Sequence, residues 1–138
     1  MKNKVTVLAL CLFTLQACEI DKSINTDLLS GVTTKGDGIS CENVYLSIDD
    51  QQTNSTIYVY GETFYVNFNN ITGFTKVGES VFPGLDLFVI SEKGDTVMQE
   101  YDLYADSTNG FALSPLLLST NITVATPIMS NQKYSLYI

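Results

Sequence analysis

Apolar positions along residues 39–138 recur mostly with the period of a β-strand. Val44, Leu46 and Ile48 alternate with Tyr45 and Ser47, so one face of residues 44–48 is apolar and the other is not. Residues 49–54 are polar and are expected to turn. Residues 55–60 (STIYVY) are rich in β-branched and aromatic side chains and are expected as the next strand. Gly61 and Glu62 bend or bulge the chain. Residues 63–69 then alternate again, with Phe64, Val66 and Phe68 facing in and Tyr65, Asn67 and Asn69 facing out. A long loop with Gly73, Gly78, Pro83 and Gly84 follows.

Residues 86–91 (DLFVIS) are nearly continuously apolar, as a central strand should be. Residues 92–95 (EKGD) carry a hairpin signal, with Gly94 suited to a positive φ, and residues 96–104 read as the return strand. Residues 106–110 read as a loop. Residues 114–118 predict one helical turn, with Ser114 as N-cap and Pro115 at the first position. Residues 121–126 and 134–138 are the last two strands expected. About seven short strands separated by turn signals, with no sustained helical period, predict an all-β fold, a β-sandwich. Tyr134-x-Leu136-x-Ile138 resembles the penultimate strand of immunoglobulin-like sandwiches, in which a tyrosine sits at the corner and alternate apolar residues face in. The resemblance implies a domain lacking its last strand; the other reading is that residues 134–138 are themselves the closing strand.

The front of the chain is different. Lys2 and Lys4 precede an apolar run over residues 5–15, and Leu15-Gln16-Ala17-Cys18 follows. A membrane-spanning helix needs roughly 20 apolar residues, so this run is too short to span and has the flanks of a signal peptide. Leu15, Ala17 and Cys18 resemble the lipobox of bacterial lipoproteins; Gln16 departs mildly from it. The resemblance covers residues 1–18. It implies removal of residues 1–17, a thioether from Cys18 to diacylglycerol, and acylation of the new amine, which together anchor a chain stably. Glu19 stands where an Asp would imply inner-membrane retention, so the resemblance leans to the outer membrane, in a Gram-negative cell envelope. Residues 18–38 are polar, with Gly31, Gly36 and Gly38, and read as a flexible tether. Twenty such residues span about 25 Å root-mean-square. The expected organisation is therefore signal peptide 1–17, lipid-anchored tether 18–38 and β-sandwich domain 39–138.

Composition narrows the function. The 138 residues are 45% hydrophobic and 16% charged, which excludes global disorder. The 15 acids all lie at or after Glu19, against 7 basic residues that are all Lys, for a net charge of −8. Such a surface repels phosphate, so no nucleic-acid partner is expected. The absence of His removes Ser-His and Cys-His catalysis and His-based metal sites, and the absence of Arg removes the bidentate anion clamp. No nucleophile–base pair remains, so the chain is expected not to be an enzyme and to need no cofactor. Of the three cysteines, Cys11 leaves with the signal peptide and Cys18 carries lipid. Cys41 is then either a reactive thiol or a small apolar residue at the start of the first strand, the second being favoured.

Candidate sites are few. Tyr58, Tyr60 and Tyr65 are candidate ligand contacts on an outward face, since exposed aromatics stack on sugar rings or anchor a protein partner. Packing under a loop is the plainer reading. Asp102, Asp106 and Asn109 offer oxygen ligands at one hairpin end, a weak calcium candidate whose spacing fits no calcium motif; a solvated acidic loop is favoured. Asp49-Asp50 invites the same idea and the same discount. The expected function is a non-catalytic binding or adhesion module for a glycan or an envelope protein, held to the membrane through lipid on Cys18. The alternatives are a structural or accessory lipoprotein of an envelope complex and, remotely, a hydrolase.

Overall fold

The computed structural model describes residues 22–26, 31–113 and 115–138. Cys18 and the rest of the expected lipobox, residues 15–18, lie outside the described residues. In chain order the strands are β1 (Lys22–Thr26), β2 (Thr33–Asp37), β3 (Ser40–Ile48), β4 (Gln51–Thr53), β5 (Thr63–Thr72), β6 (Ser80–Val81), β7 (Leu87–Ser91), β8 (Thr96–Glu100), β9 (Phe111–Ala112), β10 (Leu118–Thr123) and β11 (Tyr134–Tyr137). All pairings are antiparallel, and the described residues contain no helix. One sheet runs β10-β5-β3-β4 and a second runs β11-β7-β8; β6-β9 and β1-β2 form small two-stranded ladders.

The alternation in the sequence explains the two main sheets. β5 buries Phe64 and Val66 and turns Tyr65 out; β7 buries Leu87 and Val89. Phe64, Val66, Leu46 and Ile122 from the four-stranded sheet meet Leu87 and Val89 from the three-stranded sheet in one cluster, which Ile128 closes. Two antiparallel sheets with apolar faces turned toward one core make a β-sandwich. A second cluster of Ile71, Val81, Leu116 and Leu118 fills the other end, under the β6-β9 ladder. Each such side chain fully withdrawn from water contributes roughly 1.5–3 kcal/mol.

Several expectations are corrected. Residues 49–54 are not simply a turn. Asp49 and Asp50 take φ of 47° and 61°, and Ile48 pairs with Gln51, so the turn is those two residues and Gln51–Thr53 folds back as β4. Positive φ at both central residues is what a tight type I′ hairpin needs, and Asp tolerates it better than most residues. Residues 55–60 are not a strand. Their polar backbone groups are satisfied locally: Ile57 N–H donates to Ser55 Oγ (3.2 Å), Ser55 Oγ donates to the Ile57 carbonyl (2.7 Å), and Val59 N–H donates to Glu62 Oε2 (3.0 Å). Such side-chain bonds compete with a ladder, and the β-branched composition alone does not supply a partner strand.

The return strand stops at Glu100. Asp102 turns to φ 47°, its N–H donates to Asp86 Oδ1 (2.9 Å), and Leu103 N–H donates to the Leu85 carbonyl (2.8 Å). The expected helical turn at residues 114–118 is not formed: Ser114 lies outside the described residues, and Pro115 to Leu117 are irregular. Leu116 is buried there, and its carbonyl accepts from Ile71 N–H (3.1 Å). The expected flexible tether contains β1 and β2, paired from Lys22↔Asp37 to Thr26↔Thr33, and Val32 packs on the main core. The hairpin at residues 92–95 forms as expected, with Gly94 at φ 91°.

Candidate functional site

The outer face of the four-stranded sheet is assembled by register. Asn43 pairs with Asn69, Tyr45 with Asn67 and Ser47 with Tyr65 across β3 and β5; Ser119 pairs with Asn67 and Asn121 with Tyr65 across β10 and β5. Directly opposed residues of an antiparallel pair share a face. The face opposite the Phe64–Val66 core therefore carries Asn43, Tyr45, Asn67, Asn69, Asn121 and Tyr65, with no Asp, Glu or Lys among these paired positions. In a chain of net charge −8 this is a neutral, amide-rich and aromatic surface. Asn67 is fixed, its Nδ2 donating to Ser47 Oγ at 2.9 Å, and Thr63 and Thr123 share a hydroxyl bond of 2.8 Å at one end. Tyr65 is 38% exposed. Aromatic rings beside amides and hydroxyls can stack on a sugar ring and hydrogen-bond its hydroxyl groups.

The three tyrosines predicted from sequence do not form one surface. Tyr58 turns inward and stacks on Phe64, with ring centroids 4.2 Å apart, and its hydroxyl donates to the Ser55 carbonyl (2.7 Å). Burial, reinforced by the Glu62 carboxylate, pushes its hydroxyl pKa up. Tyr60 is exposed, but its hydroxyl sits 3.1 Å from Thr126 Oγ1 and accepts from Thr126 N–H (3.3 Å), which lowers its pKa and ties the turn to the segment after β10. Tyr65 is the one that lies on the neutral sheet face. Tyr45, Asn43, Asn67, Asn69 and Asn121 join it there. Alternation gave the outward side of β3 and β5 separately; which outward residues become neighbours depends on register, which no local pattern carries.

Asp102, Asp106 and Asn109 sit in the chain between β8 and β9. Asp102 lines a hollow of about 170 Å³ together with Phe82, Pro83, Gly84, Tyr104 and Phe111. Asp106 and Asn109 are exposed and do not line that hollow. Among the described residues no three His, Cys, Asp or Glu side chains converge as a metal site. Asp49 and Asp50 shape the β3-β4 turn, where Asp49 lines a shallow concavity with Ile48 and the three β4 residues. Cys41 is a free, half-buried thiol on β3, within donating distance of the carbonyls of Asn69 (3.1 Å) and Asn43 (3.2 Å). Burial pushes its pKa up, assisted by the Glu42 charge, against a smaller opposing effect of the backbone at Asn43 and Asn69. A raised pKa leaves little thiolate at neutral pH, so Cys41 is a poor nucleophile.

No protein family, curated protein or solved structure matches the chain.

Proposed function

We propose that this chain is a lipid-anchored protein of a bacterial cell envelope whose β-sandwich is a non-catalytic binding module for a neutral glycan. The observation that carries the reading is the register that lines Tyr45, Tyr65 and four asparagines onto one uncharged sheet face. An acidic ligand is repelled by the net charge of −8, whereas a neutral polysaccharide meets stacking surface and amide donors and acceptors without a charge penalty. The lipobox residues Leu15, Ala17 and Cys18 support anchoring through Cys18, and Glu19 favours the outer membrane. The immunoglobulin-like reading of the sandwich draws support from Tyr134, whose hydroxyl accepts from Met129 N–H (2.9 Å) five residues upstream, the bond that defines a tyrosine corner.

The test is retention of the purified chain on columns of neutral and acidic polysaccharides. Tyr65→Ala and Asn67→Ala should each weaken retention on a neutral polysaccharide by about 3–10-fold. Equal retention of wild type and both variants refutes the sheet face as the site. Cys18→Ala should move the protein out of the membrane fraction without changing retention. A second reading, an accessory lipoprotein of an envelope complex, is favoured by β11, which among the described residues pairs with β7 alone.

A further inference from the structure

The four free edges of the two main sheets are not alike. β4 is three residues long and begins Gln51-Gln52, too short and polar to template another strand. The outer edge of β10 is capped by a side chain: Ser119 N–H donates to the Tyr104 hydroxyl (3.1 Å), which itself donates to the Ser119 carbonyl (2.8 Å). β8 carries Glu100, follows Asp95 and is interrupted by a bulge opposite Val89 and Ile90. Apart from Lys133 directly before it, β11 has none of these devices. Its sequence, YSLY, is uncharged and free of proline, its register with β7 is unbroken, and among the described residues it pairs with β7 alone.

Hydrogen-bond alternation fixes which groups β11 leaves open. Glu92 N–H donates to the Lys133 carbonyl (3.1 Å), so Lys133, Ser135 and Tyr137 direct their backbone groups toward β7. Tyr134 and Leu136 then direct N–H and C=O away from it, while their side chains pack on the core. The outer face beside this edge is apolar. Tyr137 lies opposite Phe88, whose ring meets Tyr101 edge-on at 5.6 Å, and Tyr137 and Tyr101 are both exposed. An unpaired edge flanked by exposed aromatics is a template for β-augmentation.

We propose that β11 receives an extended strand from another polypeptide, with alternating apolar residues and basic ends, as a fourth strand of the β11-β7-β8 sheet. Charge selects this occupant. β7 is bracketed by Asp86 and Glu92; Lys133 stands opposite Glu92, but the chain as a whole carries −8, so basic ends are attracted. A second copy is disfavoured: it brings −8 against −8, and joining two β11 edges leaves both Phe88–Tyr101–Tyr137 patches facing water. The added strand pairs with Tyr134 and Leu136 through its backbone. It sets one row of side chains beside Leu136 and the other beside Tyr137.

The probe is a synthetic peptide of alternating valine and threonine with lysine at both ends, added to the purified full chain while amide hydrogen exchange is followed by NMR. In the free protein Ser135 and Tyr137 amides should be protected and Tyr134 and Leu136 amides should exchange fast. Peptide should slow exchange at Tyr134 and Leu136 at least tenfold. A peptide N-methylated on alternate residues, or one with glutamates at its ends, should bind at least about tenfold more weakly, a difference of about 1.4 kcal/mol. Ile138→Pro, at an exposed position, should weaken binding about 3–10-fold by removing the next outward N–H. The proposal is overturned by any of three results: no change at Tyr134 and Leu136 with about 1 mM peptide, equal binding of the N-methylated or acidic peptide, or protection of both amides in the free protein. In the last case light scattering separates a dimer, with a second copy on the edge, from a monomer that covers it. None of these readouts involves the neutral face of the other sheet, so glycan binding stands or falls separately.

Discussion

The two sheets of the sandwich are built alike inside and differently outside. Both turn aliphatic and aromatic side chains to one core, because an antiparallel sheet buried on one face needs an apolar residue at every second position. Their outer sides diverge. The four-stranded sheet shows Tyr, Asn, Ser and Thr, and its two free edges are blunted, one by shortness and one by the Tyr104 hydroxyl. The three-stranded sheet shows Phe88 and Tyr137, and its β11 edge is open among the described residues. The fold dictates the inner faces, so they carry little information about function. The outer faces are free of that constraint, and the two proposed binding chemistries rest on their contrast.

The comparison presumes that the sheets share a single core, and the largest expected effect tests this. Leu87 is 2% exposed and lies in the three-stranded sheet. Leu87→Ala should cost about 2–5 kcal/mol, from lost burial and the cavity left behind. Urea unfolding should remain one transition, with the tyrosines of both sheets responding together. Two separate transitions would mean that the sheets are independent units, and the contrast between them would then say nothing about one module.

A smaller effect tests the edges. Tyr104→Phe removes the hydroxyl that both accepts from and donates to Ser119, and should cost about 1–2 kcal/mol, since two polar groups lose one partner. It should also speed amide exchange at Ser119 and make β10 an open edge like β11. Unchanged exchange at Ser119 would show that the hydroxyl is not what closes that edge. The same residue carries a pH prediction. Burial raises the pKa of Tyr104, with the Ser119 N–H that donates to its hydroxyl pulling the other way, and burial raises that of Tyr58. A phenol whose folded pKa lies above its unfolded value of about 10 contributes stability that is complete below pH 10 and is lost as pH climbs through the folded value. Thermal unfolding should therefore fall to lower temperature above about pH 10, and the fall should be shallower in Tyr104→Phe.

How much of this was legible beforehand depends on range. β5 was readable because one-sided burial stamps its period on residues 63–69, β7 because residues 86–91 are a nearly continuous apolar run, and the turn at Gly94 because the conformation needs that residue type. β4 was not, since Gln51-Gln52-Thr53 has no apolar pattern and becomes a strand only because Asp49 and Asp50 fold it back onto β3. Residues 55–60 looked most like a strand and are not one, because pairing is a long-range event that Ser55 and Glu62 pre-empt locally. The candidate face shows the same division. Tyr65, Asn67 and Asn69 were visibly outward on one strand, but Tyr45 and Asn121 became their neighbours through register alone. The edge of β11 was anticipated only through the resemblance of residues 134–138 to a penultimate strand without its partner; no local pattern shows it, since an edge is defined by what else in the chain pairs with it.

The smallest expected effect bears on the aromatic outer face of the three-stranded sheet. Tyr137 is 57% exposed and pairs with β7 through its backbone, so its ring contributes little to the fold. Tyr137→Lys should change stability by no more than about 0.5 kcal/mol, the usual range for a surface position without a special role. A charge on an edge strand discourages pairing with other strands, so the variant should also bind less of a hydrophobic dye and dock a lysine-ended peptide more weakly. A loss well above about 1 kcal/mol would place Tyr137 within the packed structure. The outer aromatics would then be part of how the three-stranded sheet holds together, and the contrast with the neutral sheet would be one of stability.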